Sequence, residues 1–193
     1  IAFCVIDELL DYAEFRLRKR PDGAVLTHPA GFGEAQKRCL QEAGEKAGLK
    51  TIRLLSEPSA AAFAYKLHLG AIRHAFIYDW GGGTFDAAAL IAGKNAADVK
   101  DHDGIQVGGI DVDEAIVDWM KDGYREEYGV DLGEDINAME RMRAAAEQAK
   151  IALSTQESYK IEIPLIQTLP ARSLIMTLTV AKLEDLAKPF IAQ

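Results

Sequence analysis

The chain has 193 residues, 49% of them hydrophobic and 27% charged, which is enough apolar material for a packed core and too much for wholesale disorder. Lys and Arg number 22 against 30 Asp and Glu, and the resulting formal charge of −8 repels phosphate polyanions and argues against nucleic-acid binding. No apolar run approaches the ~18 to 20 residues that span a bilayer, and Ile1 to Ile6 is too short and too soon followed by Asp7 and Glu8 for a signal peptide.

Cys4 and Cys39 have no metal-ligand spacing and read as free thiols of a reducing compartment, so a cytoplasmic protein without membrane contacts is expected. The four histidines are scattered and form no zinc pattern. The chain opens on Ile inside a helical pattern, which reads as a piece of something longer.

In chain order, Phe3, Ile6, Leu9, Leu10, Ala13 and Leu17 recur at helical spacing and predict a helix that stops at Pro21-Asp22-Gly23. Ala24 to Thr27 reads as a strand, and the stretch from about Glu34 to Ala47 as a helix ended by Gly48. Thr51 to Leu55 is a second strand, and Glu57-Pro58 opens a third helix, because proline fits a first turn where its missing N–H costs nothing. This βαβα order predicts a parallel strand pair.

Ala75 to Tyr78 and Phe85 to Ile91 are apolar runs flanking Gly81-Gly82-Gly83 and predict a hairpin, with a third short strand near Ala97 to Lys100. Two helices follow, Val112 to about Tyr128 with Ile116, Trp119 and Met120 inward, and Asp135 to about Ser154 with Ile136, Met139, Met142, Ala146 and Leu153 inward. Tyr159 to Leu165 and Ser173 to Val180 alternate with a period near two, and Ala181 to Phe190 returns to helix. Two packed lobes meeting near Gly70 are expected.

The sharpest local signal is Tyr78-Asp79-Trp80-Gly81-Gly82-Gly83-Thr84-Phe85-Asp86. Consecutive glycines present backbone N–H groups with no Cβ in the way, the geometry that wraps polyphosphate oxygens. Asp79, at the end of the entering strand, suits a Mg²⁺ shell or the alignment of a water, and the Thr84 hydroxyl suits a terminal phosphate. A solvated glycine hairpin fits the same residues, and neither the Walker nor the dinucleotide fingerprint is present. Further on, Glu147, Lys150, Ile151 and Ser154 stand at i, i+3, i+4 and i+7 and share one helix face, where a carboxylate and an ammonium suit ribose hydroxyls and Ile151 an adenine. On spacing alone that face also reads as a surface ion pair.

Asp79 to Asp86 resembles the second phosphate loop of the actin-like ATPases, above all the nucleotide-binding domain of the seventy-kilodalton heat-shock chaperones. Further segments agree in order and approximate spacing: Ala24 to Phe32, Ala43 to Leu49, Ser56 to Ala62 with Ala64-Tyr65, and Glu147 to Ser154, the last resembling the DnaK-type branch. The resemblance runs from about Gly23 to Leu186 and implies an α/β, actin-like (ribonuclease H-like) fold fragment. Its parts would be the latter part of lobe I (1–70), the core of lobe II (71–110) and an outer α+β subdomain (111–193).

The resemblance also implies roles. Gly81, Gly82, Gly83 and Thr84 match the turn on the β- and γ-phosphates. Asp79 matches the carboxylate beside Mg²⁺ and the attacking water, and Glu57 one that binds the metal through its waters. Glu147, Lys150, Ile151 and Ser154 match the nucleoside pocket. The implied cofactors are ATP or ADP with Mg²⁺, and the implied partners are client peptides, a J-domain co-chaperone near Arg53 and a nucleotide exchange factor. The counterparts of Pro29, Lys37 and Glu57 form the relay to a substrate-binding domain.

This sequence departs from the pattern with Lys37 for Arg, Gly31 for Tyr, Trp80 for Leu and Ile110 for Glu, and the loop before Gly108 is about one residue short. The family's first phosphate loop, catalytic lysine and later adenosine loop have no counterpart here, so the 193 residues alone are expected to be inactive while the parent hydrolyses ATP. The rival readings are a pseudo-ATPase, a filament protein and a sugar kinase.

Overall fold

The computed structural model describes residues 1–69, 74–92 and 97–192, and the lobe boundary expected near Gly70 lies outside them. The chain divides into two compact units, one formed by residues 1–79 and 85–105, the other by 80–84 and the chain from 106 onward. Both are mixed α/β.

The first unit begins with helix α1 (Ala2–Leu17), followed by β1 (Gly23–His28), α2 (Glu34–Lys46), β2 (Thr51–Ser56) and α3 (Glu57–Leu69). The strands β1 and β2 pair in parallel, Gly23 opposite Thr51 through His28 opposite Ser56, as the βαβα order predicts. Ile6 and Leu10 of α1 meet Ala43, Ala47 and Leu49 in a small core over Leu26 and Ile52. The apolar stripe predicted for α1 is wider than the face it buries, since Leu9 is 62% and Leu17 67% exposed.

A three-stranded sheet completes this unit, with β3 (His74–Trp80), β4 (Phe85–Ala92) and β5 (Ala97–Ile105) side by side in that order. Strands β4 and β5 run antiparallel with an irregularity at Ala89/Leu90. β5 runs five residues past the Lys100 at which the sequence signal ends. Gly104, which reads as punctuation, instead lies within the strand, where an added Cβ would sit 2.7 Å from Asp86 Oδ1 and 3.0 Å from the Phe85 carbonyl. Pairing with β4 thus overrides the poor strand propensity of an Asp- and Gly-rich segment. Helix α3 covers one face of this sheet, with Ala62 packed among Ala75, Ile77 and Leu90.

The second unit holds α4 (Gly109–Tyr128), α5 (Ile136–Ala152), the antiparallel hairpin β6 (Ser158–Thr168) and β7 (Ala171–Thr179), and α6 (Val180–Ile191). Asp135 caps α5, its Oδ1 accepting the Ala138 N–H at 3.0 Å, and Thr179 caps α6 by accepting the Lys182 N–H at 3.2 Å. Ile116, Val117, Met120, Tyr124, Met142 and Leu178 are fully or nearly fully buried in one core. Three inward assignments differ. Trp119 and Met139 are only partly buried against this core. Ile136 is 74% exposed because it occupies the first position of α5, a turn before the helix reaches the core. Helix α4 starts three residues before the predicted Val112, because the Gly-Gly pair that reads as loop supplies its cap and first residue.

Truncating Ile116 to Ala should therefore destabilise the fold by about 3 kcal/mol, whereas Ile136→Ala should stay within about 0.5 kcal/mol of the parent. Chemical denaturation of the two variants checks this, and equal losses would contradict the placement of the core.

Candidate functional site

The first unit gathers three carboxylates by strand alternation and one helix start. Ala75, Ile77 and Asp79 share the face of β3 that lies under α3, and Asp86 shares the corresponding face of β4 with Ala88 and Leu90. Glu57 is the first residue of α3. Ser56 sets that start, its Oγ accepting the Ser59 N–H at 3.4 Å and donating to Ser59 Oγ at 2.7 Å. Glu57, Asp79 and Asp86 consequently line one cleft, with Ile77, Ala88 and His102 completing its wall.

Burial, and then the negative fields of Asp79 and Asp86, hold the Glu57 carboxyl above its ordinary range, with His28 opposing. The His28 ring is buried, and its Nδ1–H donates to the Pro29 carbonyl at 2.7 Å. Mutually repelling carboxylates around a cleft fit a divalent cation, which would relieve the repulsion. Among the described residues no three His, Cys, Asp or Glu side chains are close enough to grip a bare ion. The arrangement suits a cation that keeps its water shell, as Mg²⁺ does.

The second unit builds the glycine turn. The Gly81 N–H donates to the Thr84 carbonyl at 2.8 Å and closes it. The Gly109 N–H then donates to the Gly81 carbonyl at 2.9 Å, and the Ile110 N–H to the Gly82 carbonyl at 2.8 Å, so the first two residues of α4 hold the turn. Gly108 makes this approach possible, since an added Cβ would lie 2.4 Å from the carbonyl carbon and oxygen of Gly82. The Gly108 N–H in turn donates to Asp111 Oδ2 at 2.7 Å.

In a planar trans peptide the N–H points opposite to the C=O. With the Gly81 and Gly82 carbonyls committed to α4, the N–H groups of Gly82 and Gly83 face the other way. Gly82 and Gly83 are exposed, and a Cβ at Gly83 would meet nothing within 4 Å. The result is a pair of oriented backbone donors on an exposed turn, a geometry that suits an anion. Ile110, where the resemblance calls for Glu, is exposed, with its side chain toward Gly82.

Helix α5 carries Glu147, Lys150 and Ile151, while Ser154 lies in the turn just beyond it, its N–H donating to the Ile151 carbonyl at 3.1 Å. Glu147, Ile151 and Ser154 are exposed. Lys150 is half-buried and turns to Asp113 Oδ2 at 2.7 Å and the Gly109 carbonyl at 2.9 Å, not to Glu147. Asp113, Asp86 and His102 are the residues that the sequence reading left without a role. The available signal was spacing: Asp113 falls one helical turn after Gly109, and Asp86 two residues after Thr84. Lys37 pairs with Glu34 at 3.0 Å on the surface of α2, and Arg53 is exposed on β2.

The first unit thus carries a carboxylate cleft and the second a glycine turn docked on a helix start, within a mixed α/β chain. The family model for the Hsp70 protein matches residues 1–193. The chain belongs to the Hsp70 family. It is 39% identical over 194 residues to the chaperone protein DnaK of Akkermansia muciniphila, which covers 99% of this chain and 30% of that relative. It is 42% identical over 165 residues to the chaperone protein dnaK1 of Parasynechococcus marenigrum, covering 85% of this chain and 25% of the relative. To DnaK of Thermus thermophilus it is 38% identical over 196 residues, with 99% and 32% covered. The chain thus spans about a third or less of the length of these relatives. Among the described residues no helix is long and apolar enough to cross a membrane.

The raised Glu57 pKa sets a pH dependence. The folded state holds this proton more tightly than the unfolded chain, so stability falls as pH rises from the usual Glu value of about 4.3 through the folded one. Glu57→Gln should remove that loss, melting at or above the parent at neutral pH with the advantage vanishing near about pH 4. Thermal melts across this range check it, and a variant that is less stable only at neutral pH would contradict it.

Proposed function

We propose that the chain is part of an actin-like nucleotide-binding domain that binds Mg-ATP and Mg-ADP and, in the intact protein, supports ATP hydrolysis. The observation that carries this reading is the glycine turn, whose carbonyls are held by α4 so that the N–H groups of the exposed Gly82 and Gly83 point away from that helix. These donors, with the Thr84 hydroxyl, would take the β- and γ-phosphate oxygens, and Gly81, whose own N–H closes the turn on the Thr84 carbonyl, would shape the turn around them. Asp79 would align the attacking water, and Glu57 would accept hydrogen bonds from waters of the Mg²⁺ shell. Phosphoryl transfer needs little covalent help, so positioning and charge neutralisation by such groups supply most of what a protein contributes. Glu147, Lys150, Ile151 and Ser154 would receive the nucleoside.

In this proposal residues 1–70 form the latter part of lobe I, 71–110 the core of lobe II and 111–193 its outer subdomain. The intact protein would be a cytoplasmic chaperone that uses hydrolysis to gate the binding of client peptides. A J-domain co-chaperone would engage near Arg53, and an exchange factor the outer subdomain. Membership of the Hsp70 family and similarity to chaperone proteins DnaK support this assignment over a filament protein or a sugar kinase.

The test separates chemistry from binding. Asp79→Asn keeps the shape but removes the charge, so in the intact protein it should slow single-turnover hydrolysis by roughly 100-fold while ADP affinity changes little. Glu147→Ala should do the reverse, weakening nucleotide affinity and sparing the chemical step, because ribose contacts are similar in ground and transition states. Loss of affinity alone in both variants would favour a nucleotide binder without turnover.

A further inference from the structure

Ile110 is the second residue of α4, and its N–H donates to the Gly82 carbonyl at 2.8 Å. Its side chain returns over the same glycine. Among the described residues, the only atoms that a Cβ on Gly82 would meet within 4 Å are Ile110 Cδ1 at 3.7 Å and Cγ1 at 3.9 Å. Ile110 is nevertheless 59% exposed and takes no part in the core of the second unit. It is an apolar group that borders the exposed turn on one side and water on the other.

The first turn of a helix favours acidic side chains, and α4 carries Asp111 and Asp113 just after Ile110. Both carboxylates are engaged within the unit. Asp111 Oδ2 accepts the Gly108 N–H at 2.7 Å, and Asp113 Oδ2 accepts from Lys150 at 2.7 Å. The side chain nearest Gly82 is therefore an uncharged alkyl, flanked by carboxylates that are held elsewhere. Such a group helps an anion on the Gly82 and Gly83 N–H groups in two ways. It adds no repulsion, and it keeps water from one side of the donors, where a lower local dielectric strengthens their hydrogen bonds.

We propose that Ile110 is a specificity-determining residue of the glycine turn: by keeping the Gly82 side uncharged and partly dry, it makes affinity there rise with the negative charge of the phosphate chain. This rests on the nucleotide-binding reading above and deepens it, since it assigns to one side chain the preference for a polyphosphate over the bare nucleoside.

The experiment is calorimetric titration of the intact protein with adenosine, ADP, a β,γ-imido analogue of ATP and pyrophosphate. Ile110→Glu sets a carboxylate beside the donors. It should weaken ADP roughly tenfold and the ATP analogue more, with adenosine within about twofold of the parent. The loss should shrink at high salt, as charges near a surface are screened. Ile110→Gln, neutral and of the same size as Glu, should stay within about threefold of the parent for every ligand. Ile110→Lys should reverse the sign and tighten ADP, which keeps the test open where Ile110→Glu fails to fold. Equal losses for adenosine and ADP in Ile110→Glu, a Gln variant as weak as the Glu variant, or ADP affinity that ignores both charges would each overturn the proposal. Pyrophosphate separates that failure from a failure of the reading beneath it. A parent that binds pyrophosphate with the same dependence on residue 110, but neither ADP nor adenosine, would overturn the nucleotide reading and support the role of Ile110. A parent that binds none of the four would overturn both.

Discussion

The backbone of Gly108 lies against the backbone of Gly82 with no room for a single carbon between them, and the arrangement of the glycine turn on α4 depends on that contact. It lets α4 begin beside the glycine turn, so that the N–H groups of Gly109 and Ile110, which a helix start leaves without intrahelical partners, find the carbonyls of Gly81 and Gly82. One need answers the other. The helix satisfies its first donors, and the turn is held in the orientation that faces its own N–H groups outward. A helix start that commonly receives an anion directly instead holds the backbone of the turn here.

The first unit works by electrostatics where the second works by backbone fit. Strand alternation puts Asp79 and Asp86 on the face of the sheet toward α3, and the start of α3 adds Glu57, so three carboxylates line one cleft and burial disfavours the charge of Glu57. The cost appears in the raised proton affinity of Glu57, a site under tension that a hydrated cation would release. Lys37, by contrast, is committed to a surface pair with Glu34, which a flexible ammonium forms readily and which contributes little to stability.

Much of this was legible from residue pattern alone. The parallel pair of β1 and β2, the proline-initiated α3 and the glycine hairpin follow from local rules of turn and helix-start chemistry, and the structure has them where those rules put them. What was not legible depended on distant partners. Gly104 and the Gly108-Gly109 pair read alike as punctuation, yet one lies inside β5 against Asp86 and the other opens α4, because close backbone approach leaves no trace in periodicity. Leu9 and Ile136 look as apolar as their buried neighbours, and only the position of the core decides that they stay exposed. The spacing of Glu147 and Lys150 promises a local ion pair, whereas the lysine reaches Asp113, 37 residues away in sequence, where a buried acceptor draws it more strongly than an exposed one.

Amide hydrogen exchange of Gly109 and Ile110, compared among the parent, Gly108→Ala and Gly83→Ala, tests the docking of the turn on α4 most directly. Both amides should be protected in the parent and in Gly83→Ala, where the added methyl meets open space, and should lose that protection in Gly108→Ala while the amides around Ile116 keep theirs. Equal protection of Gly109 and Ile110 in all three proteins would contradict the account.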